Sequence, residues 1–133
     1  MGIFSVLIAA AAAWLFGAAY YMKLSKQWIA ATGMAVDENG KPVGSDNPLP
    51  YLLSALAMIL VAGMMRHVFA SSGVASFGGG LASGLGIGLF FISPWIMINN
   101  AYEGRPFTLT AINSGYAISG CAIIGAILGL FLR

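Results

Sequence analysis

Charged side chains are scarce in this sequence. Six Lys or Arg and four Asp or Glu make up 8% of its 133 residues, and the formal net charge is +2. Soluble helices carry a polar face, and the long apolar runs of this chain have none of useful width. The basic residues are too few and too dispersed to indicate a nucleic-acid partner. Composition therefore argues against a water-soluble protein and against nucleic-acid binding.

Cysteine is nearly absent, since Cys121 is the only one. A single cysteine cannot form an internal disulfide, a CxxC redox motif or a CxxC zinc site. The sequence also shows no metal-ligand spacing and no nucleophile–base pair. We therefore predict a protein that is not an enzyme, with no catalytic residue, no metal site and no cofactor.

Long hydrophobic runs are abundant in this chain, in which 59% of the residues are hydrophobic. Four apolar runs reach or approach the ~20 residues that an α-helix needs to cross a bilayer. We predict an all-α membrane protein, a bundle of four transmembrane helices at about residues 3–22, 49–67, 77–99 and 106–132, with a polar loop at 34–47. One domain covers residues 1–133. The first run lacks the basic start of a signal peptide and is expected to remain as a membrane helix.

Basic residues near the ends of the runs indicate an orientation. The first and third loops hold more of them than the opposite side, which has Arg66, Arg133 and the terminal amine. The positive-inside tendency then places these two loops in the cytoplasm. The loop residues concerned are Lys23, Lys26, Lys41 and Arg105.

The pair Arg66-His67 near the end of the second run has two interpretations. In the simpler one, Arg66 extends to the lipid headgroups and His67 lies at the membrane surface. In the other, His67 handles protons or holds a pigment or haem. No acidic residue in the same run is available as a partner for His67, which favours the simpler interpretation.

Small residues recur every four positions in three of the four predicted helices. Such strips let helix backbones approach closely, which drives packing inside a membrane. We expect some strips to hold the bundle together and leave open that one serves a partner. The first strip is Ala9, Ala13 and Gly17, the second is Gly80, Gly84 and Gly88, and the third is Ala117, Cys121, Gly125 and Gly129.

Polar residues concentrate where the third predicted helix meets the fourth. They are Asn99, Asn100, Glu103, Arg105, Asn113 and Tyr116. In a structural interpretation, Glu103 pairs with Arg105 and Asn113 clamps two helices, because a buried asparagine needs a hydrogen-bond partner. In a functional interpretation, the six residues form a shallow pocket for a small solute or a lipid headgroup.

The motif Glu103-Gly104-Arg105-Pro106-Phe107 opens a more specific stretch, EGRPFTLTAINSGYAISGCAIIGAILGLF. This stretch resembles the last helix of the bacterial membrane family DUF1761, a domain of unknown function. Near the first helix, Gly17, Tyr21, Lys26, Trp28 and Gly33 follow the family arrangement. The chain departs from it at Tyr20, where the family tends to have Trp, at Met22-Lys23, in place of Ser-Pro, and at Ser25, in place of Gly. The resemblance implies a four-helix protein of the bacterial inner membrane and implies no activity.

Two functional hypotheses follow. The first is a non-enzymatic, multi-pass inner-membrane protein that acts through helix–helix association, as a homo-oligomer or as an accessory subunit of a membrane complex. The alternative is a small-solute or lipid-headgroup binding or transport protein that uses the polar residues at the junction of helices three and four. Apart from such subunits, the lipid bilayer is the expected partner.

Overall fold

The computed structural model describes residues 2–132 and is helical almost throughout. Four segments are long and apolar enough to cross a membrane, namely Gly2–Lys23, Leu49–Ser72, Phe77–Tyr102 and Phe107–Phe131. The predicted fold class is confirmed: this is an all-α, multi-pass membrane protein with four spans. The elements are α1 (Gly2–Lys23), α2 (Ser25–Thr32), α3 (Leu49–Ser72), α4 (Phe77–Ile87), a π-helical turn (Gly88–Ile92), α5 (Ser93–Tyr102) and α6 (Phe107–Phe131).

Helix α6 is the helix that the others share. It packs on α4, on the π-helical turn, on α5 and on α1, while α1 packs in turn on α3. Helices α3 and α4 follow one another through a short turn but do not pack extensively side by side. They make at most a minor contact, because the small-residue surface of α4 faces α6 instead. The bundle is therefore organised around α6.

The contact between α4 and α6 joins the second and third strips. A Cβ atom built on Gly84 would overlap the carbonyl of Cys121, and one built on Gly80 would overlap the carbonyl of Gly125. Backbones this close leave no room for side chains, so glycine is required at these positions. The first strip also faces its own chain, since Ala9 and Ala13 are 0% exposed. All three strips thus have partners within the described residues.

Helix α3 extends to Ser72, beyond the predicted end near residue 67. The charged pair at the end of the apolar run suggested a boundary, but Arg66 turns its guanidinium toward Gly2 of α1 and the helix continues. Gly73 then ends it in the left-handed region, with φ of 78°. Glycine adopts this conformation without a steric penalty.

Pro94 in the third span cannot donate the backbone hydrogen bond that the carbonyl of Phe90 would accept in a regular α-helix. Instead, the helix widens into the π-helical turn just before Ser93, and the Ser93 hydroxyl donates to the carbonyl of Gly88 at 2.7 Å. A wider turn accommodates the proline ring, which would clash with a carbonyl of the preceding turn in a regular α-helix.

The polar loop between α2 and α3 holds a tight turn at Asn39-Gly40. A single antiparallel bridge joins Val36 to Pro42, and Gly40 has a φ of 77°. The Asp37 carboxylate accepts hydrogen bonds from two backbone N–H groups of the turn, those of Asn39 and Lys41. Proline cannot donate to a strand ladder, which limits pairing to this one bridge.

Candidate ligand-binding groove

An open groove of about 340 Å³ lies between α2, the α5–α6 connection and the start of α6. Four of the six polar residues singled out from the sequence line it. The remaining two, Asn99 and Tyr116, lie outside it. The lining residues are Trp28, Thr32, Met34, Asn100, Glu103, Arg105, Leu109 and Asn113.

Helix α2 forms one wall because its apolar side packs on α6. Leu24 and Trp28 contact a small buried cluster formed by Ala31, Leu109 and Ile112. These residues of α2 share one helical face, since they follow one another at intervals of three and four. That spacing explains why Trp28 stands beside the groove rather than away from the protein.

Arg105 joins α2 to the connection between α5 and α6. Its Nη1 atom donates to the carbonyl of Thr32 at 2.7 Å, across 73 positions of the sequence. Thr32 is the last residue of α2, where unpaired carbonyls attract a cation. The predicted pair between Glu103 and Arg105 is absent, because the carbonyl end of α2 is the partner of Arg105. The Glu103 carboxylate therefore remains exposed beside the groove.

Asn113 clamps α1 to α6, as the structural interpretation proposed. Its Oδ1 atom accepts a hydrogen bond from the Tyr21 hydroxyl at 2.8 Å. The amide nitrogen makes no hydrogen bond among the described residues, and Asn113 is one of the residues that line the groove. The hydrogen bond to Tyr21 therefore fits the structural interpretation, while a role of Asn113 in ligand binding stays a prediction.

Asn100 is the most deeply placed polar residue of the groove, with 8% of its surface exposed. Its Nδ2 atom donates to the Thr110 hydroxyl at 3.0 Å, and its backbone carbonyl accepts from the N–H of Arg105 at 2.8 Å. Because a buried amide needs partners, these bonds fix the connection on α6. The side-chain oxygen of Asn100 makes no hydrogen bond among the described residues.

Tyr116 lies behind the groove, in an aromatic cluster between α1 and α6. Its hydroxyl donates to the carbonyl of Ala13 at 3.0 Å, and its ring contacts Phe16, Tyr20 and Tyr21. The Tyr20 hydroxyl donates to the carbonyl of Ile112 at 2.7 Å. The three half-buried tyrosine rings therefore pack against one another between α1 and α6.

The four lining residues that sequence analysis did not assign to the site are Trp28, Thr32, Met34 and Leu109. The spacing of Leu24, Trp28 and Ala31 was a usable signal for the first, because it predicted a helical face after the first span. Thr32 contributes its backbone carbonyl, which accepts the bond from Arg105, and no pattern of side chains in the sequence reveals such a contribution. Met34 lies on an irregular segment after α2 and carries no comparable signal.

The groove offers binding groups rather than a reactive pair. A carboxylate (Glu103) and a guanidinium (Arg105) stand at its polar edge with the amides of Asn100 and Asn113, while Trp28, Met34 and Leu109 supply apolar surface. Such a mixture is typical of ligand sites, where apolar walls give contact area and a few polar groups set orientation.

Comparison with known families tests the resemblance that the sequence of the last helix indicated. Residues 4–129 match the family described as "Protein of unknown function (DUF1761)". The chain belongs to DUF1761. The match covers nearly the whole chain, so the DUF1761 region contains the complete groove and all but the outermost residues of the first and last spans. No curated protein and no solved structure matches the chain.

Proposed function

We propose that this non-enzymatic membrane protein of the bacterial inner membrane binds a small zwitterionic group in the groove. The observation that carries the proposal is the separation of two opposite charges that share one groove. Glu103 and Arg105 both line it, yet Arg105 bonds to Thr32 rather than to Glu103. A ligand with its own positive and negative groups would satisfy both side chains at once.

The available hydrogen-bonding capacity supports this ligand class. A guanidinium has five N–H donors, and the bond to Thr32 uses one nitrogen, which leaves donors of Arg105 for an anionic oxygen. The Glu103 carboxylate accepts only, so it suits an ammonium group. Asn100 and Asn113 add one free amide oxygen and one free amide nitrogen deeper in the groove.

The position of the groove favours a lipid headgroup such as phosphoethanolamine. Helix α5 ends at Tyr102 and α6 begins at Phe107, so the groove lies at the ends of two membrane spans, at the level of headgroups. Its apolar residues Trp28, Met34 and Leu109 can contact the glycerol and upper acyl region. A soluble zwitterion is the other source of the same chemistry.

The predicted association with copies of itself or with other membrane subunits has less support than binding in the groove. Its motivation was a small-residue strip left free for a partner, and the three strips face other helices of the same chain. Exposed apolar side chains on α3 and on the third span are equally suited to lipid. Association therefore stays a prediction.

The test measures which phospholipid the purified protein retains, by native mass spectrometry after exchange into mixed micelles. We expect retention of phosphatidylethanolamine over phosphatidylcholine, because a quaternary amine cannot donate a hydrogen bond to Glu103. Glu103→Gln should remove this preference, whereas the matched change Glu38→Gln, in the exposed loop, should leave it intact. Arg105 is a poorer target, since its replacement also releases α2.

Competition distinguishes the two sources of the ligand. Soluble phosphoethanolamine at millimolar concentration should displace little of the lipid if the apolar walls contribute to binding. Full displacement would instead indicate a soluble zwitterion as the natural ligand. Equal retention of the two lipids, or an unchanged preference in Glu103→Gln, would refute binding of a zwitterion at this groove.

A further inference from the structure

A second groove of about 450 Å³ lies between α1 and α3, at the opposite end of the spans from the first. Among residues 2–132, its lining is mostly apolar or small, and Arg66 and His67 are the only ionisable side chains in it. The proposed zwitterion site does not involve it. The lining residues are Gly2, Ile3, Val6, Gly63, Arg66, His67, Ala70 and Ser71.

Arg66 is held in this groove rather than extended into water. Its side chain is half-buried, and its Nε atom is buried without a hydrogen bond among residues 2–132. A Cβ built on Gly2 would lie only 2.8 Å from the Arg66 Cζ atom, so the guanidinium rests against the start of α1. Arg66 precedes the last residue of α3 by six positions, which places its Cα about 9 Å inside the helix end.

Within residues 2–132, no acidic side chain lies on the same side of the protein as Arg66. The four acidic residues are Asp37, Glu38, Asp46 and Glu103, and all lie in the α2–α3 loop or the α5–α6 connection, at the other end of the spans. His67 adds no negative charge, and the hydroxyl of Ser71 donates to the backbone carbonyl of His67. A charged group near the hydrocarbon is costly unless an opposite charge accompanies it.

We propose that the groove between α1 and α3 binds the phosphate group of an anionic phospholipid, with Arg66 as its principal ligand. Guanidinium and phosphate form strong, often bidentate hydrogen bonds. The lining residues Ile3, Val6 and Ala70 continue the groove as apolar surface, which suits the glycerol and acyl part of a lipid better than a free anion. His67 and Ser71 stand beside Arg66 to contact the rest of the headgroup.

The experiment measures binding of phosphatidylglycerol and phosphatidylcholine to the full-length protein in micelles. The wild-type protein should bind phosphatidylglycerol more tightly, and Arg66→Gln should weaken that binding by about tenfold or more, as expected when a charge-assisted hydrogen bond is lost. Lys26→Gln removes the same charge from an exposed position on the other side and should have no effect.

Two outcomes would overturn the proposal. One is equal binding of the two lipids by the wild-type protein, a result that needs no variant to fold. The other is undiminished binding of phosphatidylglycerol by Arg66→Gln. If Arg66→Gln does not fold, Arg66→Lys keeps the charge but loses the paired donors, and it should bind phosphatidylglycerol more weakly than wild type. Displacement of the lipid by millimolar inorganic phosphate would contradict lipid as the source of the phosphate.

Discussion

The two faces of α6 use glycine for different purposes. Toward α4, Gly125 and Gly129 allow backbone to approach backbone, so that a Cβ on either would overlap a carbonyl group of the facing chain segment. Toward α1, Gly115 makes a notch for the Tyr20 hydroxyl, and Gly17 of α1 makes one for the Tyr116 ring. One interface has almost no side chains, and the other is built from large ones.

This difference predicts how each interface tolerates change. Two backbones in contact cannot make room for a methyl group unless whole helices separate. A tyrosine in a notch can move part of its side chain, and its hydrogen bond limits the movement. The energetic consequence of an added methyl group should therefore be larger toward α4 than toward α1.

The largest effect is expected at the α4–α6 contact. Gly84→Ala would place a Cβ against the backbone carbonyl of Cys121, and we expect it to destabilise the protein by about 1–3 kcal/mol, the usual range for overpacking. Gly86→Ala is the matched control, because no atom lies within 4 Å of its added Cβ. Thermal unfolding in detergent would measure both variants. Equal stability of the two would show that the close α4–α6 contact does not stabilise the fold.

The next effect concerns the notch at Gly115. Gly115→Ala would bring a Cβ onto the Tyr20 hydroxyl oxygen, while the nearest ring carbon, Cζ, would be 3.4 Å away, an ordinary contact. We expect a cost of about 1 kcal/mol, close to the value of the hydrogen bond that the hydroxyl must weaken to move. In a Tyr20→Phe background the obstructing oxygen is gone, so the same substitution should cost little. A double-mutant cycle measures this coupling.

Gly17 provides the contrasting case on the same interface. Its added Cβ would lie 2.7 Å from Cζ of Tyr116 as well as 2.7 Å from the hydroxyl oxygen, so the ring itself obstructs it. Tyr116→Phe should therefore fail to relieve Gly17→Ala, and the two changes should remain nearly additive. Suppose that Tyr116→Phe reduced the stability loss of Gly17→Ala as much as Tyr20→Phe reduces that of Gly115→Ala. The difference between the two contacts, hydroxyl oxygen alone against ring and oxygen, would then have no energetic consequence.

The sequence revealed more of the fold than of the site, for a physical reason. Apolar length and four-residue spacing are local patterns, so the spans and the glycine strips of α4 and α6 were visible without the structure. The groove depends on a bond between Arg105 and the backbone of Thr32, 73 positions apart, which no local pattern encodes. The nearest local partner, Glu103, suggested a pair that does not form. Likewise, tertiary packing decides that α4 packs on α6 rather than on α3, and no local pattern of the sequence encodes it.

The smallest effect is expected where α1 meets α6 through a polar bond. Tyr21→Phe removes the hydroxyl that donates to Asn113 Oδ1, and we expect a loss of about 0.6 kcal/mol, the average for hydrogen bonds between membrane helices. Tyr102→Phe, at a residue 91% exposed, is the control and should be neutral. Because Asn113 also lines the groove, its freed amide can rotate. Tyr21→Phe should therefore change the retention of phosphatidylethanolamine even though it lowers stability only slightly. Unchanged retention with lowered stability would mean that Asn113 acts as a clamp alone.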